Sequence, residues 1–164
     1  MRTSILPTAL AAGVLALGGC GSDTGGDAGT GTDTSVAAED AVLSTADTEL
    51  GEVVVDADGR TVYVFDKDTP GSGESACSGQ CLEAWPPVTA DTEEPAVDGV
   101  TGDVGTITRD DGTLQVTLDG SPLYLWQGDT AEGDVTGQGV QDVWWVVAPD
   151  GSKVTTAPPP DSTY

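Results

Sequence analysis

The sequence has no histidine, and Met1 is its single methionine. Histidine is the commonest general base and a frequent metal ligand, so its absence excludes a Ser-His-Asp triad, a Cys-His pair and a His-bearing zinc or copper centre. The lack of a second methionine excludes a thioether ligand in the mature chain. We therefore predict a protein that is not an enzyme and that holds no metal and no cofactor.

Positive charge is also scarce. Five Lys and Arg residues stand against 28 Asp and Glu residues, which gives a formal net charge of −23 at pH 7. Proteins that bind nucleic acid neutralise phosphates with basic patches, and anionic membrane surfaces attract the same side chains. The sequence therefore predicts no nucleic-acid partner and no direct electrostatic contact with a membrane.

The apolar stretch from Ile5 to Leu17 is uncharged and much shorter than the roughly 20 residues that cross a bilayer. It follows Met1-Arg2 and leads into the sequence LGGC, which ends at Cys20. This is the pattern of a secretory signal cleaved just before a cysteine. We predict a signal peptide over residues 1–19 and a diacylglyceryl lipid on Cys20. The alternative is an ordinary secreted protein cleaved nearby.

A lipid on Cys20 would anchor the chain to the extracytoplasmic face of the cell membrane, because each buried CH2 contributes about 0.8 kcal/mol and two acyl chains suffice. The segment that follows is rich in Gly, Ser, Thr, Asp and Ala, a composition that cannot form a core. We therefore predict a disordered linker over residues 20–48 that carries the lipidated cysteine, and a Pro-rich tail over residues 158–164.

Residues 49–157 carry the signals of one all-β domain. Asp-Gly pairs that begin at Asp58, Asp111, Asp119 and Asp150 separate apolar segments, which is a strong indication of hairpin turns. Apolar residues alternate with polar ones over residues 113–118, as in a half-buried strand. No segment of the domain shows sustained helical periodicity, although residues 77–84 could form one helical turn.

An internal repeat runs through this domain. The segment that begins at Asp58-Gly59 recurs 61 positions later, as the step from Tyr63 to Tyr124 shows. Each copy has a turn, a strand with a Tyr-x-aromatic pattern, an aspartate and then a tryptophan segment. We predict two pseudo-symmetric β-hairpin repeats, at about residues 50–100 and 101–157, packed as a small sandwich or barrel.

The two copies read Tyr63-x-Phe65-x-x-Asp68 and Tyr124-x-Trp126-x-x-Asp129. They resemble the Tyr-x-(Phe/Trp/Tyr)-x-x-Asp motif of a family of secreted bacterial lipoprotein repeats. The cysteine segment SACSGQC, the Trp-Pro-Pro that follows it and the TRDDG segment at residues 108–112 fit the same family. The resemblance covers nearly the whole predicted domain. It implies a secreted lipoprotein and no particular mechanism.

Cys77 and Cys81 are the cysteines left after lipidation of Cys20. An oxidising compartment favours a disulfide between them that closes a tight structural loop. A redox-active dithiol and a copper(I) site with two thiolate ligands are the alternatives. Three intervening residues and the lack of a basic neighbour make both alternatives weaker.

Both faces of the two Tyr-x-aromatic strands are apolar, which predicts central strands buried on both sides with a partner for each tyrosine hydroxyl. The alternative is an aromatic platform that stacks on a sugar ring or another flat ligand. The candidate platform residues are Tyr63, Phe65, Trp85, Tyr124, Trp126, Trp144 and Trp145.

Asp68 and Asp129 end their strands at matching places, where aspartate usually caps a turn by accepting backbone N–H groups. A carboxylate pair for glycosidase-type catalysis is the alternative. We expect Arg60 and Arg109 to form surface ion pairs with acidic neighbours such as Asp58 and Asp110.

Taken together, these features predict a lipid-anchored, non-catalytic module that binds an extracellular ligand or serves the cell envelope. Its predicted partners are the membrane, through the lipid, and a ligand that the sequence does not identify. A redox or electron-transfer accessory that uses the Cys77–Cys81 pair or a bound cofactor is the first alternative. A hydrolase that uses carboxylates alone is the second.

Overall fold

The computed structural model describes residues 40–157. The predicted signal peptide, the lipidation site Cys20, residues 20–39 of the predicted linker and the tail at residues 158–164 lie outside this range. The strands are β1 Leu43–Thr48, β2 Gly51–Asp56, β3 Val62–Phe65, β4 Thr89–Ala90, β5 Val104–Thr108, β6 Leu114–Leu118, β7 Ser121–Pro122, β8 Tyr124–Leu125 and β9 Trp144–Val146. One α-helical turn, α1, spans Gln80–Ala84, and a short 3-10 helix spans Val140–Asp142.

All of the strand pairs are antiparallel. The strands β1 and β2 form a two-stranded sheet, a second sheet has the order β8-β3-β9, and a third has the order β4-β6-β5 with β7 paired to β6. The prediction of an all-β fold built from two repeats is therefore confirmed. Among residues 40–157, no helix is long and apolar enough to cross a membrane.

The domain begins before the predicted boundary. Strand β1 occupies Leu43–Thr48, which the composition predicts to be the end of the disordered linker, and it pairs along its whole length with β2. Leu43 is fully buried in the core. The linker boundary at residue 48 is therefore wrong. The buried side chain of Leu43 and six residue pairs between β1 and β2 hold this polar segment in the domain.

The predicted turns are confirmed. Asp119 and Gly120 both have positive φ angles, 48° and 74°, as a two-residue hairpin loop between β6 and β7 requires. The Asp111-Gly112 pair joins β5 to β6, where the N–H of Arg109 donates to the carbonyl of Thr113 over 2.9 Å.

The two repeats are interleaved through an approximate two-fold relation. Strands β3 and β8 place Tyr63 directly opposite its counterpart Tyr124. In the first repeat the N–H of Val54 donates to the carbonyl of Val147 over 2.9 Å, and in the second the N–H of Val116 donates to the carbonyl of Val88 over 2.8 Å. Each repeat therefore supplies a segment that completes the hydrogen bonding of the other.

The core consists of two clusters on opposite faces of the central strands. The aliphatic cluster contains Leu43, Val54, Val62, Val64, Val88, Val116, Leu118, Leu123, Leu125 and Val147. The aromatic cluster contains Val53, Val55, Tyr63, Cys77, Trp85, Tyr124, Val135, Trp144 and Val146. Neighbouring residues of β3 alternate between the clusters, which confirms that this strand is buried on both sides.

Strand β6 differs from its prediction. The alternation over residues 113–118 predicts a strand with one polar, exposed face, but Gln115 is fully buried and Thr117 is 5% exposed. The side-chain amide of Gln115 donates to the carbonyl of Leu123 over 2.8 Å, and its oxygen accepts a hydrogen bond from Arg109. Because these bonds satisfy the amide, a polar side chain is accommodated inside the fold.

Candidate functional site

The tyrosine of the first motif is bonded to the aspartate of the second. The hydroxyl of Tyr63 donates to Oδ2 of Asp129 over 2.6 Å, and it accepts the N–H of Gly137 over 3.2 Å. The other carboxylate oxygen of Asp129 accepts the N–H and the hydroxyl of Thr136, at 3.0 and 2.6 Å. Tyr63 is fully buried, and Asp129 is 5% exposed.

The reciprocal pair has the same geometry. The hydroxyl of Tyr124 donates to Oδ2 of Asp68 over 2.6 Å and lies 2.7 Å from the hydroxyl of Ser75. The N–H of Ala76 donates to Oδ1 of Asp68 over 2.6 Å. Both aspartates thus accept backbone N–H groups, as predicted, and both also receive the hydroxyl of a tyrosine from the opposite repeat.

Burial governs the protonation of these groups. Burial raises the pKa of the Asp129 carboxyl above its ordinary 3.8, and the nearby charge of Asp134 acts in the same direction. Burial also raises the pKa of Asp68, against the opposing effects of the hydrogen bond from Tyr124 and the positive charge of Arg109. The pKa values of both tyrosines are raised by burial and by their carboxylate partners, so both hydroxyls stay protonated near neutral pH.

Four rings form a continuous stack, which we call the aromatic column: Phe65, Trp144, Trp85 and Trp126. The successive ring centroids are 4.1, 3.8 and 4.3 Å apart, and the interplanar angles are 11°, 4° and 33°. The two tyrosines meet the inner tryptophans edge-on, Tyr63 at 5.3 Å from Trp85 and Tyr124 at 5.1 Å from Trp144. Stacked and edge-to-face arrangements are both favourable for aromatic pairs.

The loop after Asp129 lies directly on this column. A Cβ atom at Gly137 would come within 2.8 Å of the Tyr63 ring and 2.9 Å of the Trp85 ring. A side chain at this position would therefore collide with two rings of the buried cluster. The glycine lets the backbone approach closely enough for its N–H to reach the Tyr63 hydroxyl.

The seven candidate platform residues divide into buried and partly exposed ones. Tyr63, Tyr124, Trp85 and Trp144 are at most 4% exposed, so their faces are covered by other rings and cannot stack on a ligand. A platform made of all seven is therefore wrong as a structural expectation, because these four side chains are packed inside the aromatic cluster of the core. The partly exposed members are Phe65, Trp126 and Trp145.

The disulfide between Cys77 and Cys81 is confirmed, with the two Cα atoms 5.4 Å apart. Cys77 is fully buried within the aromatic cluster, and Cys81 packs against the same cluster. The guanidinium of Arg109 donates to the carbonyl of Cys77 over 3.0 Å. The disulfide loop is thus held from two sides.

The two arginines do not take the predicted partners. Arg60 forms an ion pair with Asp56 at 3.0 Å rather than with Asp58, because the carboxylate of Asp56 also accepts the backbone N–H of Arg60 across the turn. Arg109 is directed inward to Cys77 and Gln115 rather than outward to Asp110.

Two surface clefts involve residues described above, one at Phe65 and one at Arg109. One has a volume of about 390 Å³ and is lined by Val64, Phe65, Asp66, Asp68, Pro70, Ser121, Gly151, Ser152 and Lys153. Within it, Asp66 pairs with Lys153 at 2.5 Å and accepts the indole N–H of Trp145 at 2.8 Å. The other, of about 420 Å³, lies beside the disulfide loop and is lined by Gly73, Glu74, Ser75, Ser78, Ile107, Thr108, Arg109 and Asp110.

Gln138 is a structural residue that sequence reasoning missed. Its side chain is 2% exposed and accepts the N–H of Val146 over 2.9 Å. Its amide N–H group donates to the carbonyls of Val154 and Thr156, at 2.6 and 3.0 Å. A glutamine in a Gly-rich segment gives no sequence signal of this kind.

Across residues 40–157, no three Cys, Asp or Glu side chains converge to hold a metal ion.

Fold and site together define a two-repeat β domain whose repeats are joined by reciprocal Tyr–Asp bonds around an aromatic column. A family model described as a secreted repeat of unknown function matches residues 44–89 and 105–148, more than half of the chain. The chain belongs to this family of secreted repeats, as its motifs suggested, and is an extracellular protein. No curated protein and no solved structure matches it.

Proposed function

We propose that the chain is a lipoprotein anchored through Cys20 to the extracytoplasmic face of the cell membrane, where its β domain acts as a non-catalytic binding or envelope module. Two features support the anchor. The LGGC sequence ends an uncharged apolar stretch of signal-peptide length, and the family to which the chain belongs is secreted.

The contacts of the carboxylates support a non-catalytic role. Asp68 and Asp129 resemble a catalytic carboxylate pair most closely in the sequence, and each binds a tyrosine hydroxyl and a loop N–H. A general acid or nucleophile must instead reach its substrate within hydrogen-bond distance. These aspartates are engaged in joining the two repeats.

The cleft beside Phe65 is the observation that carries the binding role. It combines the partly exposed ring of Phe65 with the Asp66–Lys153 pair, and the half-buried Trp145 lies against Asp66. Aromatic surface next to a few convergent polar groups suits a sugar ring, which has apolar faces and hydroxyl edges. We therefore propose an extracellular glycan as the ligand class.

The anchor is tested by changing the lipidated residue. We expect Cys20→Ser to abolish incorporation of labelled fatty acid and to move the full-length protein from the detergent phase into the aqueous phase. Ser22→Ala, two residues further along the same segment, is the matched control and should remain lipidated. Equal membrane retention of the Cys20→Ser variant would refute lipid anchoring at this residue.

The binding role is tested by calorimetric titration of the full chain with soluble cell-wall glycan fragments. We expect Lys153→Ala to weaken binding, because it removes the cation of the cleft. Ile107→Ala, which alters the second cleft, is the matched control and should bind like the unmodified chain. A loss confined to Ile107→Ala would move the site to the second cleft, and no heat with any glycan would refute the ligand class.

A redox accessory role is the second candidate, and the position of the disulfide favours it. Cys77 and Cys81 lie against the same cluster as the stacked tryptophans. If the pair exchanges electrons, Cys77→Ser with Cys81→Ser should fold fully and lose that exchange. If the pair is structural, the double variant should be less stable and should keep its glycan binding at a permissive temperature.

A further inference from the structure

The aromatic column offers a path for single electrons. Its four rings are in van der Waals contact, and electron tunnelling between rings weakens steeply with distance, so transfer between neighbours is favoured over transfer to isolated groups. The inner pair, Trp85 and Trp144, is shielded from solvent, whereas the end rings Phe65 and Trp126 are partly exposed. Tryptophan loses an electron more readily than phenylalanine, so Trp126 is the end at which an oxidant would act.

The two Tyr–Asp pairs supply what such a path needs at its inner end. A phenol that loses an electron becomes a strong acid and must pass its proton to a base within hydrogen-bond distance. Tyr63 and Tyr124 each contact an inner tryptophan edge-on, and each hydroxyl lies 2.6 Å from a carboxylate oxygen. Both tyrosines can therefore form neutral radicals without releasing a proton to solvent.

Satisfying the tyrosine hydroxyls does not by itself require a carboxylate. A buried tyrosine hydroxyl can be satisfied by a neutral backbone carbonyl, whereas burying a carboxylate costs free energy even when it is hydrogen-bonded. The fold nevertheless places a carboxylate at both equivalent positions, and Asp129 is only 5% exposed. One oxygen of Asp129 holds its loop through Thr136, and the other places a proton acceptor 2.6 Å from an oxidisable phenol.

We propose that the aromatic column and its two Tyr–Asp pairs form a relay that donates single electrons through Trp126 to one-electron oxidants outside the cell. This activity is separate from the glycan binding proposed above and uses neither the disulfide nor a bound cofactor.

The chemistry balances as follows. The oxidant takes one electron from Trp126, and electrons then move outward along the column until Tyr63 is oxidised. The O–H bond of Tyr63 breaks, its proton forms an O–H bond with Asp129, and a neutral tyrosyl radical remains. A thiolate then gives one electron and becomes a thiyl radical, and the proton moves back from Asp129 to the phenolate oxygen of Tyr63. The Tyr124–Asp68 pair performs the same cycle in the opposite repeat.

The two pairs differ in the lifetime that we expect for their radicals. Asp129 is buried, whereas Asp68 is half-exposed and lies in the wall of the cleft beside Phe65. A proton held on Asp68 can exchange with water more easily. The radical on Tyr63 should therefore outlast the radical on Tyr124.

The test uses the full chain and a photogenerated ruthenium(III) polypyridyl complex as the one-electron oxidant, with transient absorption and electron paramagnetic resonance as readouts. All proteins carry Tyr164→Phe, so that any tyrosyl radical must arise at Tyr63 or Tyr124. We expect the parent protein to form a tyrosyl radical after a tryptophan radical. Tyr63→Phe with Tyr124→Phe should abolish the tyrosyl signal and leave the tryptophan radical.

A second pair of changes isolates the proton acceptors. Asp68→Asn with Asp129→Asn retains a hydrogen-bond acceptor but removes the base, so the tyrosyl yield should fall while near-ultraviolet circular dichroism stays that of the folded domain. Trp145→Phe lies outside the column and is the matched control, with an unchanged yield expected. A parent protein that forms no tyrosyl radical, or a yield that the Asn changes do not lower, would overturn the relay.

Discussion

The loop that follows Asp68 and the loop that follows Asp129 make equivalent contacts in the two repeats, but they are closed by different interactions. Both bring a backbone N–H onto the carboxylate and both lead to a column tryptophan. The first loop is closed by the Cys77–Cys81 disulfide and braced by Arg109. The second has no cysteine and is held by the buried amide of Gln138.

This contrast separates the contacts that the two repeats share from those that differ between them. The Tyr–Asp bonds and the central Trp85–Trp144 stack join the two halves, and each half contributes one member to every one of these contacts. The loops are closed by different interactions, a disulfide in the first half and the Gln138 amide in the second. The column is therefore the shared feature of the two repeats, and the loop closures are particular to each one.

The largest expected effect falls on the column itself. Trp85→Ala and Trp144→Ala should each cost about 3–5 kcal/mol of unfolding free energy, because each removes a buried ring stacked on both sides. The two costs should be similar, since the positions are equivalent. Urea unfolding of the full chain measures both. Trp145→Ala, outside the column and half-exposed, should cost much less, and clearly unequal losses at Trp85 and Trp144 would contradict the equivalence.

The loop closures come next in magnitude. Replacing both Cys77 and Cys81 by alanine should cost about 2 kcal/mol, because a short covalent loop is opened. Gln138→Ala should cost about 1–3 kcal/mol, since it leaves the buried N–H of Val146 without a partner. Denaturant unfolding compares the two, with the exposed Gln127→Ala as the control. A negligible cost at Gln138 would show that the second loop is closed by something else.

The reciprocal tyrosines should respond unequally. Tyr63→Phe should cost about 1–2 kcal/mol, because it removes a bond to a buried carboxylate and an acceptor for the N–H of Gly137. Tyr124→Phe should cost less, since water and the hydroxyl of Ser75 can reach the half-exposed Asp68. Thermal unfolding in one buffer ranks the two variants. A larger cost for Tyr124→Phe than for Tyr63→Phe would show that the burial of the aspartate partner does not determine the ranking.

Much of the fold follows from local sequence patterns. The Asp-Gly pairs predict the hairpins, and the Tyr-x-aromatic alternation predicts which residues of β3 share a face. The cysteine spacing and the secreted character predict the disulfide. These features depend on a few neighbouring residues, so a single sequence is enough to infer them.

The site could be predicted only in part. That Tyr63 needs a partner follows from its burial, but the choice of Asp129 depends on the register between β3 and β8, which joins the two repeats across 66 positions. The sequence pattern does not predict strand β1, because Leu43 is its one strongly apolar residue. The alternation pattern places Gln115 on the solvent-exposed face of β6. It fails there because it takes no account of the hydrogen bonds that satisfy a buried amide.

The smallest expected effect is the pH dependence of the two aspartates. Burial raises the pKa of both carboxyls in the folded protein, so each binds its proton more tightly folded than unfolded. The stability gained in this way is fully present below the ordinary pKa of 3.8 and is lost as the pH rises through the raised value. Lowering the pH from neutral should therefore stabilise the unmodified chain relative to Asp129→Asn.

The comparison with Asp68→Asn sharpens this expectation. Asp134 adds to the raised pKa of Asp129, whereas Arg109 opposes the rise at Asp68, so the slope for Asp68→Asn should be shallower. Melting temperatures of the chain and both variants, measured between neutral pH and 3.8, give the two slopes. Taking differences cancels the repulsion among the other acidic groups, which also weakens as the pH falls. A difference that stays constant with pH for Asp129→Asn would mean that this carboxyl titrates alike in the folded and unfolded chain.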